Sequence, residues 1–278
     1  MKLNKLVYLI LVASLFLIFA CSTTGKNNNE AISQNDAHTE RFAIVIGNSN
    51  YENVFKLQNA KNDAEDVTVI LKQLGYHVDS YYDLNYEQMR IAINKFIETL
   101  SKNKDSEGFF YFAGQGGMIN NRNYLFPTDV PGSYADRVID GSYNLDILLN
   151  NLIQSDNKLN VVIMDACFSE IFSTHRGLVF ASPDDIAINN DGLDVLEYFT
   201  NDIFYIQAAL PGGVAMDGVS GSRNSPFTMS LLNNIMKPLN FTLLAQEIIK
   251  ETLGYTDGKQ RPYYKANIIN YENYIINR

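Results

Sequence analysis

Gly108-Phe109-Phe110-Tyr111-Phe112-Ala113-Gly114-Gln115-Gly116-Gly117 begins as a β-strand and runs straight into a glycine-rich turn. Similar runs lie on both sides of it. Upstream, Phe42-Ala43-Ile44-Val45-Ile46 is continuously apolar and ends at Gly47, the pattern of a strand buried on both faces. Downstream, residues 159–164 read as another buried strand, which leads into Asp165-Ala166-Cys167. Residues 77–82 and 203–209 are predicted to be two more strands. Helical spacing fills the intervals: Ala64, Val67, Ile70, Leu71 and Leu74 share one face, with Gly75 as the stop. Met89, Ile93, Phe96, Ile97 and Leu100 repeat the pattern, and further helices are predicted over 145–153, 226–236 and 242–253. The tyrosine-rich tail is expected to add an edge strand. Alternating strands and helices predict an α/β fold, an open three-layer αβα sandwich with a mostly parallel central sheet. Ligands in such sheets bind beyond the C-terminal strand ends, where Gln115 and Cys167 both fall.

The N-terminus carries a different signal. Lys2 and Lys5 precede an apolar run over residues 6–20, broken by Ser14. That run falls short of the ~20 residues of a bilayer span and suits the core of a secretory signal. It ends in Ile18-Phe19-Ala20-Cys21, which resembles the bacterial lipobox. The resemblance implies that residues 1–20 are a signal peptide and that Cys21 becomes a lipidated N-terminus. An uncleaved signal anchor is the alternative. More than one acyl chain makes such a tether persistent, so the chain is expected to be exported and membrane-anchored. The periplasmic or outer-membrane side, or the cell surface, would be its place. With Ser at position 22, no familiar inner-membrane retention signal is present. Residues 21–40 are polar and cannot offset their ordering entropy by burial. They read as a lipidated flexible tether, roughly 25 Å long as a random coil. Residues 41–278 fit one domain.

Charge and cysteine content narrow the function. The net charge is −9, and it becomes −11 once residues 1–20, which hold Lys2 and Lys5 and no acid, are removed. Nucleic acid is therefore not an expected partner. With Cys21 lipidated, Cys167 is the one remaining thiol, so no disulfide is expected. Three scattered histidines, His38, His77 and His175, do not make a zinc site.

Five ordered segments resemble one family. Arg41 to Tyr51, followed by Asn59-Ala60-Lys61-Asn62-Asp63-Ala64, is similar to the opening of bacterial caspase-like and metacaspase domains. Tyr111-Phe112-Ala113-Gly114-Gln115-Gly116 stands where that family has Tyr-Phe-Ala-Gly-His-Gly. Asn123-Tyr124-Leu125-Phe126-Pro127-Thr128-Asp129 continues the similarity. Ile163-Met164-Asp165-Ala166-Cys167 resembles the nucleophile strand, and Arg223-Asn224-Ser225-Pro226-Phe227-Thr228 the start of a late helix. The resemblance implies a cysteine endopeptidase domain with Cys167 as nucleophile and Gln115 at the place of the catalytic histidine. Positions 115 and 167 are 52 apart, close to the ~50 of caspases. It further implies that the N–H groups of Gly116 and Cys167 hold the oxyanion. Asp63 and Asp165 match acids that line a pocket for Arg or Lys side chains, so peptide or protein segments with basic residues are the expected partners. Some members use calcium. No cofactor is otherwise expected, and the loose acidic loop of Asp184, Asp185, Asp191 and Asp194 fits no calcium motif well.

The glutamine changes the chemistry. An imidazole with a pKa near 6.5 can take a thiol proton and return it to a leaving amine. An amide does neither, and a free thiol is only a few per cent thiolate at pH 7. Losing the base of a catalytic unit costs on the order of 10⁴ to 10⁶ in rate. The sequence thus predicts a pseudopeptidase that binds basic segments without cutting them. One alternative is an active endopeptidase that cleaves after Arg or Lys with another base, for which His175 is the nearest histidine. Another is a structural scaffold lipoprotein with a vestigial pocket. His77 reads as a surface or satisfied edge residue.

Overall fold

A computed structural model describes residues 39–167, 171–174, 177–180, 202–210, 213–268 and 274–277. His38, His175, the lipobox with Cys21, and the acidic loop at 184–194 lie outside the described residues. Thr39–Arg278 forms one compact unit, and every described core residue belongs to it. It carries its own core, which is what independent folding requires.

Six strands form the central sheet: β1 (Arg41–Gly47), β2 (His77–Tyr82), β3 (Glu107–Ala113), β7 (Leu159–Asp165), β10 (Ile203–Gln207) and β11 (Tyr263–Asn267). Their spatial order is β11-β10-β7-β3-β1-β2. All pairings are parallel except β10 with β11. The expected edge strand from the tyrosine-rich tail is therefore present, as β11. The mostly parallel three-layer sandwich is the observed fold.

Alternation along the strands sends side chains into two cores. Ala43, Val45, Phe109, Tyr111, Val161, Ile163, Phe204 and Ile206 face α1 (Ala60–Gln73), α5 (Pro226–Asn234) and α6 (Phe241–Tyr255). Ile44, Ile46, Phe110, Phe112, Val162, Met164 and Tyr205 face α2 (Tyr86–Lys102) and α4 (Leu145–Gln154). Both faces are covered, which is why these strands read as unbroken apolar runs. Side-chain caps fix the starts of α2 and α4. Asn85 and Gln88 form a capping box on α2, and Asn144 caps α4.

Smaller elements were not foreseen in the sequence. The glycine-rich segment after β3 is itself a strand, β4 (Gly116–Ile119). It pairs in antiparallel fashion with β5 (Arg122–Leu125), which pairs with β6 (Tyr143–Asn144). Asn120 and Asn121 supply the turn at φ of 52° and 58°, the left-handed backbone a two-residue hairpin needs. A short helix, α3 (Ala135–Asp140), packs Val138 with Tyr51, Tyr124 and Phe126 in a third, minor core. An antiparallel pair, β8 (Ile171–Thr174) and β9 (Gly177–Phe180), follows Cys167 in the chain.

Two constraints set the geometry around the strand ends. Arg41 pairs with Glu107 at 3.0 Å, and its guanidinium donates to Leu74 O and to the Tyr274 hydroxyl, at the end of the sheet opposite the C-terminal strand tips. At those tips, Gly47 lets α1 approach closely. A Cβ there would lie 2.6 Å from both Ala60 O and Ala64 Cβ.

Gly47→Ala must push α1 away from β1, since backbone cannot yield cheaply. We expect this variant to lose about 1–3 kcal/mol of stability, read as a lower urea midpoint with an unchanged slope. An unchanged midpoint would show that the close approach is dispensable.

Candidate active site

The register of the sheet assembles the site. Ala113 at the end of β3 lies beside Asp165 at the end of β7. The next residues, Gly114-Gln115 and Ala166-Cys167, therefore leave the sheet side by side, and Gly114 N donates to Asp165 O at 3.1 Å. Gly47, ending β1, is the partner of Ala113 on the other side. His77 opens β2 opposite Phe42 at the far end of the sheet. Five residues of strand, roughly 16 Å, separate that level from Gly47, so His77 cannot serve Cys167.

Gln115 does not turn towards the thiol. Its backbone N–H donates to the buried Tyr51 hydroxyl at 2.6 Å, and its Nε2 donates to Phe55 O. Tyr51 in turn donates to Phe126 O, and its hydroxyl fills the place where a Cβ of Gly114 would sit, 2.6 Å away. The loop that carries Tyr51 and Phe55 is pinned further back by Asp83, which accepts from Ser49 N, Asn50 N and Asn50 Nδ2 at 2.7–2.9 Å. Against a burial cost, these donors hold the Asp83 carboxyl below its usual range. The Phe55 ring itself is 79% exposed, so only its carbonyl is engaged. Gly116 is buried at the start of β4.

Cys167 is half-buried, and its thiol is spoken for. Ala215 N donates to Sγ at 2.9 Å and Sγ donates back to Ala215 O at 3.1 Å. Burial pushes the thiol up to about 11, the Ala215 N–H works against the shift, and Asp165 and Asp217 add to it. At pH 7 roughly one molecule in 10⁴ then holds a thiolate. Reactive cysteines sit in electropositive surroundings, and here the neighbouring charges are negative.

Asp63 on α1 and Asp165 at the tip of β7 come together, as the sequence predicts. Both are buried, at 1% and 7% exposure. Ser225 holds the two: its N–H donates to Asp63 Oδ1 at 3.0 Å and its Oγ donates to Asp165 Oδ2 at 2.5 Å. Ser225 is also the N-cap of α5, accepting from Thr228 N, with Pro226 in the first turn. Thr228 Oγ1 donates to Asp165 Oδ2 at 2.7 Å and shares a hydrogen bond with the Tyr111 hydroxyl. Burial, with the charge of Asp165 adding to it, raises Asp63 to about 9. Asp165 is raised to about 6 by burial, against the pull of the Ser225 and Thr228 hydroxyls.

A third acid belongs to the site and was missed in the sequence. Asp217 lies beyond β10, and its carboxylate accepts from Gln58 N at 2.5 Å and Asn59 N at 3.1 Å, just ahead of α1. Asn59 Nδ2 donates to Asp217 O at 2.7 Å. The one local sign of it is an Asp-Gly pair past a C-terminal strand end, where such sheets bind ligands. Together Asp63, Gln115, Asp165, Cys167, Ala215 and Asp217 line a cavity of about 50 Å³, and among the described residues no Lys or Arg is in its walls. Among the described residues, no group of three or more His, Cys, Asp or Glu is placed to hold a metal ion. Among them too, no helix is long and apolar enough to cross a membrane.

Known proteins are similar to this chain in sequence or in fold. A family model for the caspase domain matches residues 40–273. Human mucosa-associated lymphoid tissue lymphoma translocation protein 1 is 27% identical over 238 residues, which is 84% of this chain and 26% of that protein. Caspase-1-A of Xenopus laevis is 26% identical over 170 residues, 56% of this chain and 41% of that protein. The chain thus spans about a quarter of the human relative's length and less than half of the frog caspase. The crystal structure of a Geobacter sulfurreducens protein superimposes with a TM-score of 0.60 at 15% identity, covering 85% of this chain and 96% of that one. That likeness is one of fold.

Two buried carboxyls without a cation give a defined pH response. The Asp63 carboxyl titrates near 3.9 in an unfolded chain and near 9 in the folded one. Between those values the folded state holds the extra proton, so this group's contribution to stability falls as pH rises. Asp63→Asn keeps an acceptor for Ser225 N and removes the charge. We expect it to melt above the parent at pH 8.5, by roughly 2–4 °C for each kcal/mol recovered, and to lose that advantage by pH 5. Parallel melting curves at pH 5, 7 and 8.5 would contradict the buried-acid assignment.

Proposed function

This chain belongs to the caspase-domain family, and we propose that it acts as a pseudopeptidase that binds basic peptide segments without cleaving them. The observation that carries the reading is the pair of engagements at the two catalytic positions. Gln115 donates its amide to Phe55 O, and the Cys167 thiol is bonded on both sides to Ala215. No imidazole stands at position 115 to draw the thiol proton, and burial, with Asp165 and Asp217 adding to it, holds that proton in place. The negative cavity beside the thiol supports recognition of a cation. Among the described residues, three carboxyl groups line it and no basic side chain does. Burial of a charged head there gives charge-assisted hydrogen bonds in a poorly solvated site.

The N-terminal lipobox-like segment extends the proposal. Lipidation at Cys21 would hold the domain at a membrane on the exported side, with residues 21–40 as spacer. The segments it captures would then be extracytoplasmic.

A capped hexapeptide with a central arginine, and its citrulline analogue, test the reading on residues 39–278. We expect calorimetric binding of the arginine peptide at least tenfold tighter than of the citrulline form, about 1.4 kcal/mol. An Arg-terminated fluorogenic peptide should give no turnover that Cys167→Ala removes. In the Gln115→His variant, Cys167-dependent turnover should become detectable. Turnover by the parent that disappears in Cys167→Ala would refute the pseudopeptidase reading.

A further inference from the structure

The segment that lies on the thiol is fastened at each residue. Ala215 pairs with Cys167 through both its N–H and its carbonyl. Met216 N donates to Gln260 Oε1 at 2.9 Å, and Gln260 Nε2 donates to Ala208 O at 3.0 Å, which ties this point to the end of β10. Asp217 then closes on the N–H groups of Gln58 and Asn59. Across the cavity, Gln115 fastens the loop at Phe55, three residues before Gln58. The two loops that frame the cavity are thus each tied to a catalytic position and to one another, the last tie running through the Asp217 carboxylate.

That carboxylate is also the most loosely placed of the three acids. Asp63 and Asp165 are held from within by Ser225 and Thr228 at the start of α5. The partners of the Asp217 carboxylate are two neutral backbone N–H groups on a segment that includes the exposed Gln58, and Asn59 Nδ2 donates to the Asp217 carbonyl beside them. Those bonds are already charge-assisted on the acceptor side, but a cationic donor adds a charge–charge attraction that two neutral N–H groups cannot supply. A cation in the cavity would touch Asp217 and Ala215 together, because both line the same 50 Å³.

We propose that Asp217 is a latch released by a cation. An arginine or lysine head entering the acid cavity draws the Asp217 carboxylate away from Gln58 and Asn59. With that tie gone, residues 215–217 pivot about Met216 and Ala215 leaves the Cys167 thiol. The occupant and the exposure of the thiol are then coupled, and by linkage the coupling is reciprocal. The inference rests on the reading that the cavity takes basic side chains. Its consequence goes further, since binding would convert an enclosed thiol into an accessible one and change what the bound surface presents to a partner.

Residues 39–278 contain Cys167 as their one cysteine, so its alkylation by iodoacetamide at pH 8 reads the latch directly. Saturating arginine hexapeptide should speed alkylation at least tenfold, and the citrulline analogue should not. Asp217→Ala, which removes the acceptor, should alkylate at the fast rate without peptide and gain less than twofold from it, with circular dichroism confirming the fold. The peptide arm uses the parent sequence and stands whatever the variant does. Binding seen by calorimetry with unchanged or slower alkylation would overturn the latch and leave the basic-segment reading in place. A flat calorimetric titration would remove that reading and the latch with it. An Asp217→Ala protein that is folded and as slow as the parent would also overturn the latch.

Discussion

Ala113 sits beside Asp165 because β3 and β7 pair in parallel at that register, and the site follows from this one alignment. A slip of one residue would send Asp165 to the other face of the sheet, away from α1 and Ser225. It would also separate the two exits that carry Gln115 and Cys167. The register is held by both cores at once, since Phe109, Tyr111 and Val161, Ile163 fill one face while Phe110, Phe112 and Val162, Met164 fill the other. Aromatic side chains on alternate faces leave no second register that buries them equally. The chemistry at the strand tips is therefore anchored by packing well below it.

At the tips, one charge distribution has two effects. Carboxyl groups at 63, 165 and 217 line the cavity that we propose takes a cation, and two of those carboxyls add to the rise in thiol pKa that burial causes. A peptidase with an imidazole at position 115 has a positive partner to offset that field once the proton has moved. A glutamine amide contributes a dipole and no charge, and here it is directed at Phe55 O. Burial first, and the acids Asp165 and Asp217 with it, thus keep the thiol protonated. On the proposed reading this is consistent with recognition retained and cleavage lost.

Most of the sheet was legible because buried parallel strands leave unbroken apolar runs, and because Gly47 and Gly75 mark where elements stop. The pairing of Asp63 with Asp165 came from family resemblance and is seen in the structure as two acids sharing Ser225. What escaped the reading has physical reasons. Gly116 and Gly117 look like turn residues, yet β4 forms through the Asn120-Asn121 turn that follows, a hairpin signal two residues past the glycines. Asp217 meets Gln58 and Asn59 across about 158 positions of sequence, and no local periodicity encodes such a contact. Ser225 falls in the segment read as the start of a late helix, which it caps, but its second role needs the positions of two distant strand and helix ends.

Replacing one residue would not simply restore a caspase-like centre. A histidine at 115 lacks the amide that ties the Phe55 loop, so that loop would lose a tether as the base was gained. It would also meet a thiol whose proton is donated to Ala215 O and whose sulfur accepts from Ala215 N. Deprotonation would break the first of these bonds and strengthen the second, since a thiolate is the better acceptor. The Ala215 N–H could then serve the charged form, but only if Asp165 and Asp217 were neutralised by an occupant. Base, clasp and acid cavity are therefore linked in one equilibrium. The glutamine at 115 thus acts together with the way residues 167 and 215–217 are fastened.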